Sequence, residues 1–268
     1  MPDLTVVVCT LGERRLERTI ESIEGSARAA GRDVEVVVVW QGGEAPPALG
    51  ARVLDGQPPG LSQARNRGTA EARSPLVGFV DDDEVVGEGW VGAALEELGD
   101  APGAFGPVLS PSPGEPPYFD PGSGRRLFIG AHTAPWVVGT GGNMAFRREA
   151  LERAGGFDPR FGAGGPAAAA EETDLIMRLL KTGETLVYSP RLAVYHPARE
   201  RDEELDARRQ YAFGMGAALR RSPLLAGKYA FTILQETGRA ARSGDPFRRR
   251  AVRATLRGFL AGLTARLS

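Results

Sequence analysis

One cysteine, Cys9, and two histidines stand in a chain of 268 residues. A lone thiol excludes an internal disulfide and fits a reducing compartment. No uninterrupted apolar stretch is long enough to cross a bilayer, and the chain enters a strand-like run at Leu4 with no basic-then-apolar leader. Neither a spanning helix nor a secretory signal is therefore expected, and the expected location is cytoplasmic. No internal repeat is present. The basic C-terminal stretch has no interleaved aromatics suited to base stacking, so nucleic acid is not an expected partner. Apolar residues make up 42% of the chain, enough for a substantial core.

The first hundred residues alternate strand and helix. Leu4–Cys9 and Val34–Val39 read as buried parallel strands, with Leu16, Ile20, Ile23 and Ala27 at helical spacing between them. A short strand at Arg52–Leu54 precedes a helix over Leu61–Ala72, with Ser62 as its expected N-cap. Pro75–Val80 is the next strand, and Val91, Leu95 and Leu98 mark a further helix. Such alternation predicts an α/β fold with a mostly parallel sheet covered on both faces. Pro107–Gly124 reads as a long irregular loop. Asn143–Arg147 reads as a strand, Glu149–Ala154 as a short helix, and Gly162–Ala170 as a mobile Gly/Ala tract. A helix carrying Leu175 and Leu179 follows, then a last strand at Leu192–Tyr195. From Glu203 the pattern is helical, broken near Pro223 and Gly244-Asp245-Pro246.

Three aspartates, Asp81, Asp82 and Asp83, directly follow the apolar run ending at Val80. At the carboxyl end of a strand in an open sheet, where ligands bind, such a group repels itself unless a cation neutralises it. Hard oxygen ligands suit Mg²⁺ or Mn²⁺, which in turn holds a diphosphate. The competing reading is a solvated acidic turn. A second acidic group, Glu171, Glu172 and Asp174, opens a helix. There it gains about 0.3–1 kcal/mol from the helix dipole, and Asp174 can pair with Arg178; the functional reading is a carboxylate base for a hydroxyl. His196, just past a strand, is a capping residue or an added metal ligand. Thr10 and Glu13 form either a capping box or nucleotide contacts. Arg65, with Arg67 nearby, lies near a helix start, on a solvated face or facing phosphate.

Taken together, "VVVCT", "GLSQARNRG", "VGFVDDDEVV", "GTGGNMAFRREALERAGGFDPRFG" and "EETDLIMRLL" resemble the family-2 glycosyltransferases of GT-A fold, from Thr5 to about His196. The resemblance implies a nucleoside-diphosphate sugar donor, an inverting transfer to a saccharide or lipid-linked hydroxyl acceptor, and a Mg²⁺ or Mn²⁺ cofactor. It implies that Asp81 and Asp83 form the Asp-x-Asp motif, with Asp83 the direct metal ligand and His196 beside it. Thr10, Glu13, Gln41, Arg65, Asn66, Asp81 and Asp82 become the donor-binding candidates. Glu172 aligns with the family's base, although the family usually has Glu-Asp where this chain has Glu171-Glu172, so both remain candidates. The loop from Ser110 to Trp136, with Gly141, Gly142 and Asn143, is expected to shape the acceptor site, with Trp136, Gly142, Asn143 and Asp174 as acceptor contacts. Where the family commonly has an Asp after the second strand, this chain has Trp40-Gln41-Gly42-Gly43, so the nucleotide is not named.

The expected division is a GT-A catalytic domain over 1–200, its nucleotide-binding half about 1–100 and its acceptor half about 101–200, and a helical extension over 201–268. From Ala198 onward fifteen Lys and Arg face seven Asp and Glu, a balance of +8 against −9 for the rest. Val252, Leu256, Phe259, Leu260, Leu263 and Leu267 share a helical face that suits core packing or an anionic membrane interface. Two other functions compete. A sugar nucleotidyltransferase needs a Gly-rich loop with a Lys, which Cys9–Arg15 lacks. A catalytically inactive membrane adaptor has no use for intact carboxylates at both sites.

Overall fold

The structure is a computed structural model that describes residues 1–12, 15–43, 50–197 and 201–267. In chain order the first half comprises β1 (Leu4–Thr10), α1 (Leu16–Ala30), β2 (Val34–Trp40), β3 (Arg52–Asp55), α2 (Leu61–Glu71), β4 (Leu76–Val80), β5 (Val85–Val86), α3 (Trp90–Asp100), β6 (Gly103–Phe105) and β7 (Val108–Leu109). Then come β8 (Arg126–Phe128), β9 (Asn143–Arg147), α4 (Arg148–Arg153), α5 (Glu171–Lys181), β10 (Leu186–Tyr188), β11 (Val194–Tyr195), α6 (Arg201–Leu219), α7 (Pro223–Ser243) and α8 (Pro246–Thr264).

Eight strands form one sheet in the order β3-β2-β1-β4-β9-β6-β10-β8, and β5, β11 and β7 form a small second sheet. The strands from β3 to β4 are parallel, and β9 runs antiparallel between β4 and β6. Period-two alternation sorts β1 between two cores. Val6 and Val8 face α1 and α3 with Leu16, Ile20, Ile23 and Trp90, while Val7 faces the opposite layer with Phe79, Phe146, Leu175 and Leu179. Because Val80 pairs with Asn143 across an antiparallel ladder, the turn before β9 falls beside the acidic loop that follows β4. That one reversal builds half of the site.

Several local expectations change. Ser62 does not cap α2; Gly60 holds that position, and the Ser62 hydroxyl donates to Phe161 O at 2.8 Å. Thr10 is the last residue of β1, and α1 starts only at Leu16, so Thr10 is not a helix cap. The Gly/Ala tract is tightly folded. Ala167 N donates to Arg160 O at 2.8 Å, Leu61 N donates to Ala163 O at 2.9 Å, and Ala167, Ala169 and Ala170 are buried. Ala168 and Ala170 take positive φ values of 58° and 70°, a left-handed conformation that costs a non-glycine residue about 1–2 kcal/mol. The stretch expected to be irregular, 107–124, contains β7, which pairs with β11, and β8 follows it, paired antiparallel with β10.

The C-terminal helices pack against the α/β body. Leu219, Ile233 and Phe259 share one apolar cluster with Trp136 and Met177 of the α/β body. The α8 stripe divides, with Val252 and Phe259 buried and Leu256 and Leu260 exposed. Among the described residues no helix is long and apolar enough to cross a membrane.

Candidate active site

Four chain segments meet at the carboxyl end of β4. The β4 terminus supplies Asp81, Asp82 and Asp83, the turn before β9 supplies Gly141 and Gly142, the first turn of α5 supplies Glu171 and Glu172, and His196 follows β11. They surround a cavity of about 500 Å³ whose wall includes Asp81, Glu84, Gly142, Glu171, Glu172 and His196. Gly142 lies flat against two carboxylates: a Cβ there would sit 2.6 Å from Glu84 Oε1 and 2.7 Å from Asp81 Oδ2. Trp136, Gln210, Tyr211 and Met215 also line it. The last three belong to α6, which sequence reasoning left out of the site because no motif marks it.

Arg65 organises the charges. It is buried, 2% exposed, and not on a solvated helix face. Its guanidinium donates to Glu171 Oε1 at 2.5 Å, Asp81 Oδ1 at 3.1 Å and Gly141 O at 2.8 Å, and it lies 5.6 Å from the centre of the Phe157 ring. One cation thus joins the two acidic groups, and Glu171 is the helix carboxylate it takes. Its neighbour Glu172 accepts from the Thr173 hydroxyl at 3.2 Å. Burial first, then the charge of Glu171, pushes the Glu172 carboxyl up from 4.5 to about 8, with Arg65 opposing. A carboxylate with such a pKa is a stronger base than a solvated one.

On the other wall, His196 Nε2 is 3.2 Å from Asp83 Oδ2, and Nδ1 is 2.6 Å from Pro197 O. A carbonyl oxygen only accepts, so Nδ1 carries the proton and Nε2 turns its lone pair toward the carboxylate. Two acceptors at this separation need a cation between them, either a proton or a metal ion. Oxygen with one imidazole suits Mn²⁺ or Mg²⁺, so these residues fit the implied ion. Among the described residues no group of three or more such side chains is preassembled, so an ion held here would need further ligands from outside these side chains. Glu84, absent from the candidates above, is 2% exposed and accepts from Asp81 N at 3.3 Å. Burial, then the Asp81 charge, raises its pKa well above 4.5. Its signal in the sequence was a fourth acid placed directly against the β-branched pair Val85-Val86. Thr19 clamps this loop, its hydroxyl directed at Glu84 O (2.7 Å) and Asp82 O (3.0 Å).

Other candidates are placed differently. Asn143 is fully buried, donating to Pro107 O and Leu192 O and accepting from Trp90 Nε1 at 2.8 Å. Its amide is spent on these three groups. Asn66 spends both ends of its carboxamide on the Phe157 backbone, at 2.7 and 2.8 Å, and so is committed to packing. Asp174 lies outside the cavity wall and pairs with Arg178 at 2.7 Å, as the helical spacing allowed. Gln41 is buried and its oxygen accepts from Gly60 N at 2.6 Å. Trp40 Nε1 donates to Gly43 O, with its ring against Gly12. Thr10 accepts from Gly12 N at 2.9 Å at the end of β1, near the expected nucleotide side. Glu13 lies outside the described residues. Trp136 meets Tyr229 edge-to-face at 5.0 Å.

The sequence profile of glycosyl transferase family 2 matches residues 5–155. A glucosyl-dolichyl phosphate glucuronosyltransferase of Haloferax volcanii is 26% identical over 228 residues, covering 76% of this chain and 72% of that protein. A mannosyltransferase of Pyrobaculum calidifontis, solved with GDP-Man and Mn²⁺, superposes with a TM-score of 0.65 at 17% identity, over 98% of this chain and 87% of the other. GalNAc-T7, solved with UDP, GalNAc and Mn²⁺, superposes with a TM-score of 0.58 at 17% identity, over 81% of this chain and 47% of the other. At these identities the structural likenesses show the fold, which is GT-A.

Proposed function

The chain belongs to glycosyl transferase family 2, and from that premise we propose that it moves a sugar, with inversion, from a nucleoside diphosphate to a hydroxyl of a lipid-linked saccharide. The observation that carries the reading is the division of charge around Arg65. Glu171 and Asp81 share the guanidinium, while Glu172 stands in the same cavity with a raised pKa. Glu172 takes the proton from the acceptor hydroxyl. The resulting oxygen attacks the anomeric carbon as the bond to the diphosphate oxygen breaks, its electron pair leaving with the diphosphate. Attack from the face opposite the leaving group inverts the configuration. Asp83 and His196 would hold a divalent ion, which supplies charge neutralisation for the departing diphosphate. The lipid-linked acceptor is supported by the likeness to the glucosyl-dolichyl phosphate glucuronosyltransferase. The exposed leucines of α8, Leu256 and Leu260, support a peripheral place on an anionic membrane surface. In this reading residues 1–200 form the catalytic domain, and 201–268 form an extension that closes its acceptor side.

Thermal unfolding with UDP, GDP, TDP or CDP tests it. A nucleotide at one hundred times its Kd stabilises the native state by about 2.7 kcal/mol, an upward shift of about 4–10 °C for a chain of this size. The shift is expected for one nucleotide, only with Mn²⁺, and not in Asp83→Ala. A folded protein whose melting ignores all four nucleotides, with and without metal, removes the reading.

A further inference from the structure

Helices α6 and α8 lie against each other without a spacer because the facing positions on α8 are glycines. A Cβ on Gly258 would collide with Arg209 O, and one on Gly262 with Phe213 O. Beside this seam a second cavity of about 610 Å³ opens. Its wall carries Arg209 from α6 and Arg250, Arg253 and Arg257 from α8, against a single carboxylate, Asp206. Positions 250, 253 and 257 recur at three and four residues and share one helical face. The ion pairs formed nearby go elsewhere, Arg208 to Glu204 and Arg248 to Asp245. No described carboxylate lies within pairing distance of Arg209, Arg253 or Arg257. Like charges at the four-residue spacing of Arg253 and Arg257 cost a helix about 0.2–0.5 kcal/mol. Several forked guanidinium groups on one concave wall match the oxygens of a phosphate or diphosphate. The cavity also borders the active site directly, since Ala168 and Gln210 line both. Ala168 lies three residues before Glu171, in the left-handed turn that leads into α5.

We propose that this cavity seats a phosphate or diphosphate group carried by the acceptor, and so orients the acceptor's hydroxyl toward Glu172. The proposal rests on the transferase reading above but concerns different residues. Calorimetric titration of inorganic pyrophosphate, with EDTA present to remove metal from the other site, reads the cavity alone. Arg253→Ala/Arg257→Ala is expected to weaken pyrophosphate by about tenfold or more, while Mn²⁺-dependent donor hydrolysis stays at the wild-type level. Phosphatidylcholine vesicles doped with a prenyl phosphate should retain the wild type and release the double variant. Vesicles doped to equal charge with phosphatidylglycerol should retain the wild type more weakly than prenyl phosphate does, because only the general surface attraction of α8 acts there. Equal pyrophosphate affinity in both proteins, or none in the wild type, overturns the proposal. So does wild-type retention by phosphatidylglycerol as strong as by prenyl phosphate, because charge density alone would then explain the arginines. Loss of wild-type donor hydrolysis, with the pyrophosphate difference intact, removes the transferase reading and leaves the anion site standing.

Discussion

Replacing Glu172 with Gln keeps the side-chain volume and removes one ionisation, so it separates the cost of this carboxylate from its use. Burial and Glu171 hold the folded-state pKa at about 8, against about 4.3 for an exposed glutamate. Because the folded pKa is the higher, the native state binds the extra proton. That contribution to stability is fully present below about pH 4.3 and is lost as pH rises through about 8. At about 1.4 kcal/mol per pKa unit, the ceiling on the loss is about 5 kcal/mol. Glu172 lines an open cavity, and water there reduces the expected figure to about 1–3 kcal/mol. Glutamine escapes the loss altogether. Urea unfolding should therefore show the two proteins nearly equal at about pH 5, and Glu172→Gln more stable by about 1–3 kcal/mol at about pH 8.5. Turnover should fall by at least about a hundredfold, the lower end for a general base. A variant no more stable than the wild type at the higher pH would show that the carboxylate is well solvated. Wild-type turnover would place the base elsewhere, with Glu171 next in line.

Three further outcomes follow from packing around the site. Gly142→Ala puts a methyl group 2.6–2.9 Å from the Glu84 and Asp81 oxygens, and should cost more than about tenfold in kcat, because small misplacements at a reacting centre are expensive; an unchanged kcat would show that those oxygens move freely. Trp90→Phe leaves the Asn143 Oδ1 without its buried donor and should lower unfolding free energy by about 1–3 kcal/mol in urea titration; a loss under about 0.5 kcal/mol would mean this hydrogen bond is idle. Gly262→Val forces α8 away from Phe213 and should cost about 1–3 kcal/mol by calorimetric melting, whereas an unchanged melt would show that the seam is not close-packed.

The strands and helices that could be read from the chain were those with enough residues to show a period. Val6, Val7 and Val8 alternate between two cores, and Leu16, Ile20 and Ile23 line one helical face, so β1 and α1 stood out within a few positions. β6 and β10 have three residues each, too short to display alternation, and their partners lie far away in sequence. The acidic loop and the α5 carboxylates were visible as composition, but the way they share charge was not. Arg65 read as a surface cation because α2 carries no strong apolar stripe; it is buried because Phe157, Glu171 and Asp81 converge on it from three other segments. Asn66 and Asn143 illustrate the same limit. A carboxamide in a motif looks like a ligand contact until the backbone groups that claim it are in place.

The guanidinium that binds residue 81 to residue 171 also constrains how such an enzyme can be recombined. β9 enters the sheet between β4 and β6, so a crossover near residue 100 would require a foreign strand to complete the ladder with Val80. It would also have to deliver a carboxylate to a cation inherited from the other parent. Chimeras that exchange acceptor specificity therefore need Arg65 and Glu171 to come from the same parent, or to be matched by hand.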